Sequence, residues 1–300
     1  MGFKKKNVYF TTDNFGMEYA AGDAKYVTVD PTPTPTPSFT PSSTPAPTAT
    51  PTPTPTQPFS PSTISDLIGW YDFSDSSTML LSGDEIVTIY DQSPEGNNMS
   101  STAGKRPTFT ADTITLDPSV KSAKFERTSG DYFANVDLRV GGATFQTTGY
   151  TWFIVMDFNV AGVTGERTLM YLYDTPNTQY SSTVYYNYGG EDSIRTQYPG
   201  AEFDNYSTLD SRYPRTLLWS QVGLPNTPYA QFDAELNDVS YNSAISDAFT
   251  FTNMSELYLG TPSGIDFQVG ELLLYNRLLN PTEISNVETY LKNKWDYTNW

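Results

Sequence analysis

The sequence predicts an all-β body, a two-sheet sandwich with one C-terminal helix, behind a Pro/Thr-rich extended linker and a short N-terminal peptide. Three observations carry this. Short runs that alternate or are continuously apolar recur from Leu67 to Tyr275, punctuated by Gly, Pro, Asn and Asp, which is the spacing of a sandwich. A single helical pattern with its own start signal follows from Asn280 to Trp295. Residues 31–61 hold 12 of the 22 prolines and no charged residue, a composition that neither a helix nor a central strand accommodates.

The linker, 31–61, opens Pro31-Thr32-Pro33-Thr34-Pro35-Thr36-Pro37 and reads as polyproline II, a stiff rod with a solvated backbone. At roughly 3.1 Å per residue it reaches on the order of 90 Å when fully extended. Substantial sequence on both sides favours a spacer between residues 1–30 and a body, 62–300; a disordered tail and an SH3-type ligand are the other readings. Residues 1–30 are too few for a core of their own. They nevertheless carry Phe3, Tyr9, Phe10, Phe15, Tyr19 and Tyr26, whereas disordered segments are poor in aromatics. Val8, Tyr9, Phe10, Tyr26 and Val27 are the expected anchoring residues, suited to adding strands to a partner's sheet edge or to one another across copies. A floppy terminus is the alternative.

Along the body, Leu67–Asp72 is an apolar strand and Glu85–Asp91 alternates with period two. Gln92–Asn98 is a loop, followed by short strands near Ala123–Glu126 and Tyr132–Ala134. Tyr150–Phe158 is apolar but for Thr151 and Asp157, the mark of a central strand covered on both faces, with Thr168–Tyr173 expected as its neighbour. Ser182–Tyr188, Arg215–Val222, Tyr229–Phe232, Ser255–Gly260 and the buried strand Val269–Tyr275 continue the pattern. The helix starts with Asn280 as N-cap, Pro281 at N1 and Glu283 at N3. Ile284, Val287, Leu291 and Trp295 share one face, so the helix is expected to pin one flank of the sandwich.

Composition excludes several chemistries. With no cysteine there are no disulfides or thiolate metal sites, and with no histidine the commonest general base, triad partner and zinc ligand are missing. Residues 1–30 carry four basic and four acidic side chains and the linker none, so the net charge of −17 sits on the body. Such a body repels nucleic acid and anionic membranes, and no run approaches the roughly 20 apolar residues of a membrane helix. No nucleic-acid partner and no membrane insertion are expected. Lys4–Lys6 are not followed by the apolar run of a signal peptide. The expectation is a protein that leaves its cell in or on a particle.

Gly69-Trp70-Tyr71-Asp72 with Ser74–Thr78, then Asp91-Gln92-Ser93 with Gly96-Asn97-Asn98, and Lys105–Phe109, resemble the opening of laminin-G-like, concanavalin A-like domains. Gly270–Tyr275, Asn276–Glu283 and Tyr290–Trp295 are similar to the closing strand and helix of that family. The likeness spans about Leu67 to Trp295, with the middle matching only as a strand pattern. It implies a two-sheet jelly roll that binds carbohydrate or protein, in a family found in bacterial secreted proteins and bacteriophage structural proteins. It also implies calcium held by Asp and Asn on a sheet rim, without placing the ligands. Asp91, Asn97 and Asn98 offer the oxygen chemistry for calcium, or are ordinary turn formers.

The hydrolases of this fold carry alternating Glu-x-Asp-x-Glu strings, and none occurs here. Glu191-Asp192 is adjacent, so on a strand the two carboxylates point to opposite faces. Asp233 and Glu235 alternate, as a retaining pair would, or form the solvent face of an edge strand before a turn at Asn237-Asp238. No catalytic residue is expected.

Residues 171–213 hold nine of the 22 tyrosines, interleaved with Asn, Asp, Arg and Gln. A sugar site needs an aromatic face for pyranose C–H groups and amides or carboxylates for hydroxyls. The candidates are Tyr185, Tyr186, Asn187, Tyr188 and Asp192. Tyrosine is also a good strand residue and common at interfaces between subunits.

The expectation is a bacteriophage virion structural protein, a capsid-decorating or fibre-type appendage. It would bind capsid or tail proteins through residues 1–30, display the jelly roll on the virion surface toward host-surface glycans, and assemble as a homo-oligomer such as a trimer. No cofactor is required, with calcium as the candidate ion. A secreted or cell-surface carbohydrate-binding module, extracellular, is the alternative, and a glycoside hydrolase the second.

Overall fold

A computed structural model describes residues 59–111, 119–135, 137–144, 149–159, 165–174, 179–188, 191–198, 201–207, 216–223, 230–236, 239–245, 255–261 and 265–295. The chain divides into two units, Met1–Pro55 and Thr56–Trp300, and the described residues belong to the second. The expected anchoring residues Val8, Tyr9, Phe10, Tyr26 and Val27 and the linker through Pro58 lie outside them.

The strands, in chain order, are β1 (Leu67–Asp72), β2 (Met79–Ser82), β3 (Glu85–Ile89), β4 (Met99–Ser100), β5 (Thr108–Ala111), β6 (Lys121–Phe125), β7 (Phe133–Asn135), β8 (Arg139–Val140), β9 (Ala143–Thr144), β10 (Gly149–Asn159), β11 (Gly165–Asp174), β12 (Gln179–Tyr188), β13 (Glu191–Tyr198), β14 (Ala201–Ser207), β15 (Thr216–Gly223), β16 (Ala230–Leu236), β17 (Val239–Ile245), β18 (Glu256–Leu259) and β19 (Asp266–Tyr275). One α-helix, α1 (Pro281–Lys294), follows. All strands but the β8–β9 pair join one antiparallel sheet that curls into two layers.

The first layer runs β17-β16-β15-β10-β19, with β1 and β6 sharing the far edge of β19. The second runs β2-β3-β4-β7-β18-β11-β12-β13-β14. They connect where β5 pairs with both β6 and β3.

Between the layers lies a core of Tyr71, Trp152, Ile154, Leu272 and Leu274 against Ile89, Phe133, Met170, Leu172 and Leu259. A second core lies on the outer side of the first layer. There Phe153, Val155, Leu217, Leu273 and Tyr275 meet Ile284, Val287, Leu291 and Trp295 of the helix end. This sandwich with a helix on one flank is the predicted fold. The two-sided burial of β10 and β19 explains why Tyr150–Met156 and Val269–Tyr275 are apolar but for Thr151 and Glu271.

The helix start is as its sequence specifies. Asn280 Oδ1 accepts from the backbone N–H groups of Thr282 and Glu283, while Glu283 accepts from the Asn280 N–H, a capping box. Arg277 clamps the same Glu283 with two hydrogen bonds of 2.7 Å.

Three expectations are corrected. Thr168–Tyr173 does not neighbour Tyr150–Phe158: β10 has both edges occupied by β15 and β19, and β11 lies in the other layer between β12 and β18. Periodicity reports which faces are buried, not which strand is the partner. Asp233 and Glu235 are not on an edge strand, because β16 pairs on both sides; the turn expected at Asn237-Asp238 lies outside the described residues. The folded body also begins before residue 62. Pro61 is buried, Tyr275 Oη donates to the Pro61 carbonyl at 3.3 Å, and the Phe59 ring meets Tyr290 edge-on at 6.1 Å.

Candidate functional site

The outer face of the second layer carries no helix among the described residues, and its register aligns one row across it. From β3 to β14 the row reads Thr88, Ser100, Ala134, Tyr258, Tyr171, Ser182, Gln197, Glu202. Alternation puts the first five of these positions outward because their chain neighbours Ile89, Met99, Phe133, Leu257 and Leu172 are in the core. Those five carry hydroxyls at Thr88 and Ser100, then Ala134, then two tyrosines side by side.

Those tyrosines form a pair. The rings of Tyr171 and Tyr258 stack at 4.5 Å between centroids and 12° between planes. Each therefore turns one face to the other and one face away. On the far sides the register neighbours are small, Ala134 beside Tyr258 and Ser182 beside Tyr171. The pair is half-buried and carries a polar group: Tyr258 Oη donates to Glu256 Oε2 at 2.8 Å. Burial, then the nearby Glu256 charge and the phenols of Tyr132 and Tyr173, push Tyr171 up from 10.0 to about 12. Tyr258 is raised too, by burial first and then by its hydrogen bond to Glu256 and that group's charge. Both phenols are thus neutral at physiological pH, and the Tyr258 proton is given to Glu256 in that hydrogen bond. The arrangement offers aromatic ring surface with phenol and carboxylate oxygens beside it, the kinds of group a pyranose meets in a binding site.

The five predicted sugar-site residues fall on adjacent strands. Tyr185, Tyr186, Asn187 and Tyr188 lie on β12 and Asp192 on β13, with Asn187 and Asp192 register partners. The tyrosine-rich stretch contributes Tyr171 to the stacked pair. Tyr258 and Glu256 lie outside that stretch and were not predicted. Their signal is the alternation in Glu256-Leu257-Tyr258-Leu259, whose leucines are both buried.

Asp91, Asn97 and Asn98 do come together, and protein donors engage their oxygens. Asp91 Oδ1 accepts from the N–H groups of Trp70 and Ser93, at 2.7 and 2.8 Å, and Oδ2 from Ser93 Oγ and the Asn97 N–H. Asn97, buried, donates to the carbonyls of Ile68 and Arg139 and accepts from the Arg139 N–H. Asn98 Oδ1 accepts from the Asp91 N–H. The three residues tie β1 to the loop after β3. Among the described residues no group of three or more acidic side chains is disposed to hold a metal ion.

A further acidic residue is prominent in the structure. Glu271, fully buried in β19, accepts from Trp70 Nε1, Tyr290 Oη, Lys294 Nζ and Trp295 Nε1 at 2.7–3.0 Å. Lys294 also reaches Asp72 at 2.7 Å. Burial pushes the Glu271 carboxyl up, opposed by Lys294. Burial works against the Lys294 ammonium, but Glu271 and Asp72 outweigh it and leave its pKa raised. Every hydrogen-bonding group of the carboxylate is engaged, so this cluster fastens the helix end to the sheet. Its sequence signal is one glutamate inside an otherwise apolar strand.

No protein-family model matches the sequence, and no curated protein does. Solved structures share the fold. The botulinum neurotoxin serotype D binding domain superimposes with a TM-score of 0.50 at 13% identity, over 75% of this chain and 52% of that one. The binding domain of botulinum neurotoxin DC, in complex with SialylT, gives 0.48 at 10%, over 78% and 53%. An engineered GH43 glycoside hydrolase with endo-xylanase and exo-arabinofuranosidase activity gives 0.34 at 11%, over 75% and 42%. The chain spans about half the length of the neurotoxin chains it matches. At 13% identity the likeness is one of fold, a β-sandwich, and the looser superpositions add nothing to it.

Proposed function

We propose that the body is a lectin-like binding domain and that the outer face of its second layer is the glycan-binding surface. The observation that carries this is the Tyr171–Tyr258 stack, flanked by small residues and hydrogen-bonded to Glu256. Around this domain we place the wider role of a bacteriophage appendage, capsid-decorating or fibre-type. Residues 1–30 anchor it and the Pro/Thr-rich linker holds the domain toward host-surface glycans. The role is binding rather than catalysis, which the lack of histidine and of a Glu-x-Asp-x-Glu string supports.

A glycan array probed with the full chain tests the domain reading. Hits are expected that Tyr171→Ala weakens at least tenfold while thermal unfolding stays cooperative. A blank array would turn the reading to protein binding. The virion role has its own test: deletion of residues 2–28 is expected to abolish copurification with particles, and retention at normal copy number would sink it.

A further inference from the structure

We infer that this face takes an unbranched, uncharged glycan chain laid across the strands, and that Leu80 and Tyr90 are its second point of contact beyond the tyrosine pair. The inference rests on the lectin-like reading above and adds the class of glycan and its direction. Among the described residues two large apolar side chains are exposed, Leu80 at 48% and Tyr90 at 40%. Neither is part of the tyrosine stack, yet both lie on its side of the layer. Leu80 of β2 is the register partner of Thr88, which extends the row to Leu80, Thr88, Ser100, Ala134, Tyr258, Tyr171. Its chain neighbour Met79 is in the core, so Leu80 points outward. Tyr90 follows the core residue Ile89 and turns the same way as Thr88. The Tyr90 N–H donates to the Thr78 carbonyl at 2.7 Å, which holds this residue beside the start of β2.

The spacing suits a chain. Neighbouring strands are about 4.8 Å apart, so the four steps from Tyr258 to Leu80 cover roughly 19 Å. One sugar of an extended, equatorially linked chain advances by close to one such step, so about five or six sugars span the row. A compact sugar would need the tyrosine pair alone and would leave Leu80 and Tyr90 exposed without use. The stretch between the two ends can be crossed. Ala134 is small, and Thr88 Oγ1 and Ser100 Oγ bond to each other at 3.1 Å. That bond engages one of their two protons and leaves the other, with spare lone pairs, for sugar hydroxyls. No side chain of the row is ionisable near neutral pH, and the body bears the net charge of −17. An uncharged chain meets no opposing field there, whereas a uronic or sulfated one is repelled. A β-1,4-linked pyranose chain is a straight ribbon with C–H groups on both faces, which gives each aromatic end a surface to stack on.

The test uses the full chain and two ladders of β-1,4-linked probes, glucose oligomers and N-acetylglucosamine oligomers, each of three and six units, with a mannuronate hexamer as the anionic control. Affinities are measured by calorimetry. In at least one ladder the hexamer is expected to bind at least tenfold more tightly than the trimer, more than sliding a longer chain over a short site would give, and the mannuronate hexamer is expected to be weakest. The double variant Leu80→Ser, Tyr90→Ala is expected to bring the hexamer down to about the affinity of the trimer and to leave the trimer within twofold. Both side chains are exposed, so thermal unfolding should not change. Tyr171→Ala is expected to weaken trimer and hexamer alike. Equal affinity for trimer and hexamer overturns the inference and leaves the lectin-like reading standing. So does a hexamer whose affinity survives Leu80→Ser, Tyr90→Ala, or a mannuronate hexamer that binds as well as the neutral ones. Failure of both ladders alongside array hits confined to branched or charged glycans has the same meaning. Failure of both ladders with a blank array overturns both readings.

Discussion

The indole of Trp295 occupies the space a side chain at Gly270 would need. A Cβ placed on Gly270 would lie 2.5 Å from Cη2 and 2.6 Å from Cζ2 of that ring. The next residue, Glu271, accepts the indole N–H at 3.0 Å. One residue thus gives room for the ring and its neighbour satisfies the ring's only polar atom, which lets the end of α1 dock on β19.

Gly270→Ala is therefore expected to cost about 1–3 kcal/mol by overpacking, and Trp295→Ala roughly 3–5 kcal/mol by loss of a buried aromatic. In urea denaturation the two should be strongly non-additive, because the alanine methyl clashes only while the indole is present. A Gly270→Ala penalty undiminished in the Trp295→Ala background would refute the contact.

The Glu271–Lys294 pair predicts a pH dependence of definite sign. Burial raises the folded-state pKa of Glu271 above its ordinary 4.5. A carboxyl raised on folding binds more protons in the native state. Its contribution is therefore fully present below pH 4.5 and is lost as pH rises through the raised value. Lys294 limits this in the native protein. In Lys294→Met the carboxylate loses its counter-charge, so the loss should deepen to about 3–5 kcal/mol and move toward neutral pH. The double variant Lys294→Met, Glu271→Gln should abolish the slope. Melting temperatures between pH 4 and 8 check this; parallel profiles for the single and double variants would disprove it.

Asp91 and Asn97 predict stability without added metal. Asp91 accepts four hydrogen bonds and Asn97 makes three. Asn97→Ala would leave the buried Ile68 carbonyl without this partner, at about 1–3 kcal/mol, and would release the part-buried Arg139 backbone as well. Calcium or a chelator is expected to shift the melting temperature by less than about 1 °C, because protein donors already engage these oxygens. A calcium-dependent rise abolished by Asp91→Ala would assign the loop to the ion instead.

What the sequence revealed follows from what each signal encodes. The cap residues Asn280 and Glu283 are local, so α1 was readable to the residue. Tyr150–Phe158 and Val269–Tyr275 were readable as central because two-sided burial leaves few polar positions, here Thr151, Asp157 and Glu271. The family-like string Gly69–Asp72 with Asp91–Asn98 is bound to itself, Trp70 to Asp91 and Tyr71 to Asn97, which gives its parts a reason to occur together. Glu191–Tyr198, Ala201–Ser207 and Val239–Ile245 were not recognised as strands because polar residues dominate them. The partnership of Tyr171 with Tyr258 was also hidden. The two meet only because β18 returns beside β11 after the chain has visited the other layer, and alternation in either strand alone names no partner.

The start of the body gives the last prediction. Residues 59–64 look like the tail of the Pro/Thr linker, yet they are packed on the helix-bearing flank. Pro61 opens a short 3-10 turn, Pro61–Thr63, and is itself buried. Ile64 is 7% exposed and belongs to the core beneath α1. Phe59 meets Tyr290 edge-on, and Tyr290 in turn meets Trp70 edge-on at 6.5 Å, so the segment reaches the ring cluster that closes over Glu271. A chain beginning at residue 59 should therefore match a longer one in stability, whereas one beginning at residue 65 should lose about 2–4 kcal/mol. Burial of Ile64 alone accounts for roughly 1.5–3 kcal/mol of that. Phe59→Ala in the full chain should cost about 0.5–1.5 kcal/mol, the scale of one aromatic pair. Chemical denaturation of the full chain, the two shortened chains and Phe59→Ala checks the series. Equal midpoints for chains beginning at 59 and 65 would mean that these residues belong to the rod and not to the fold.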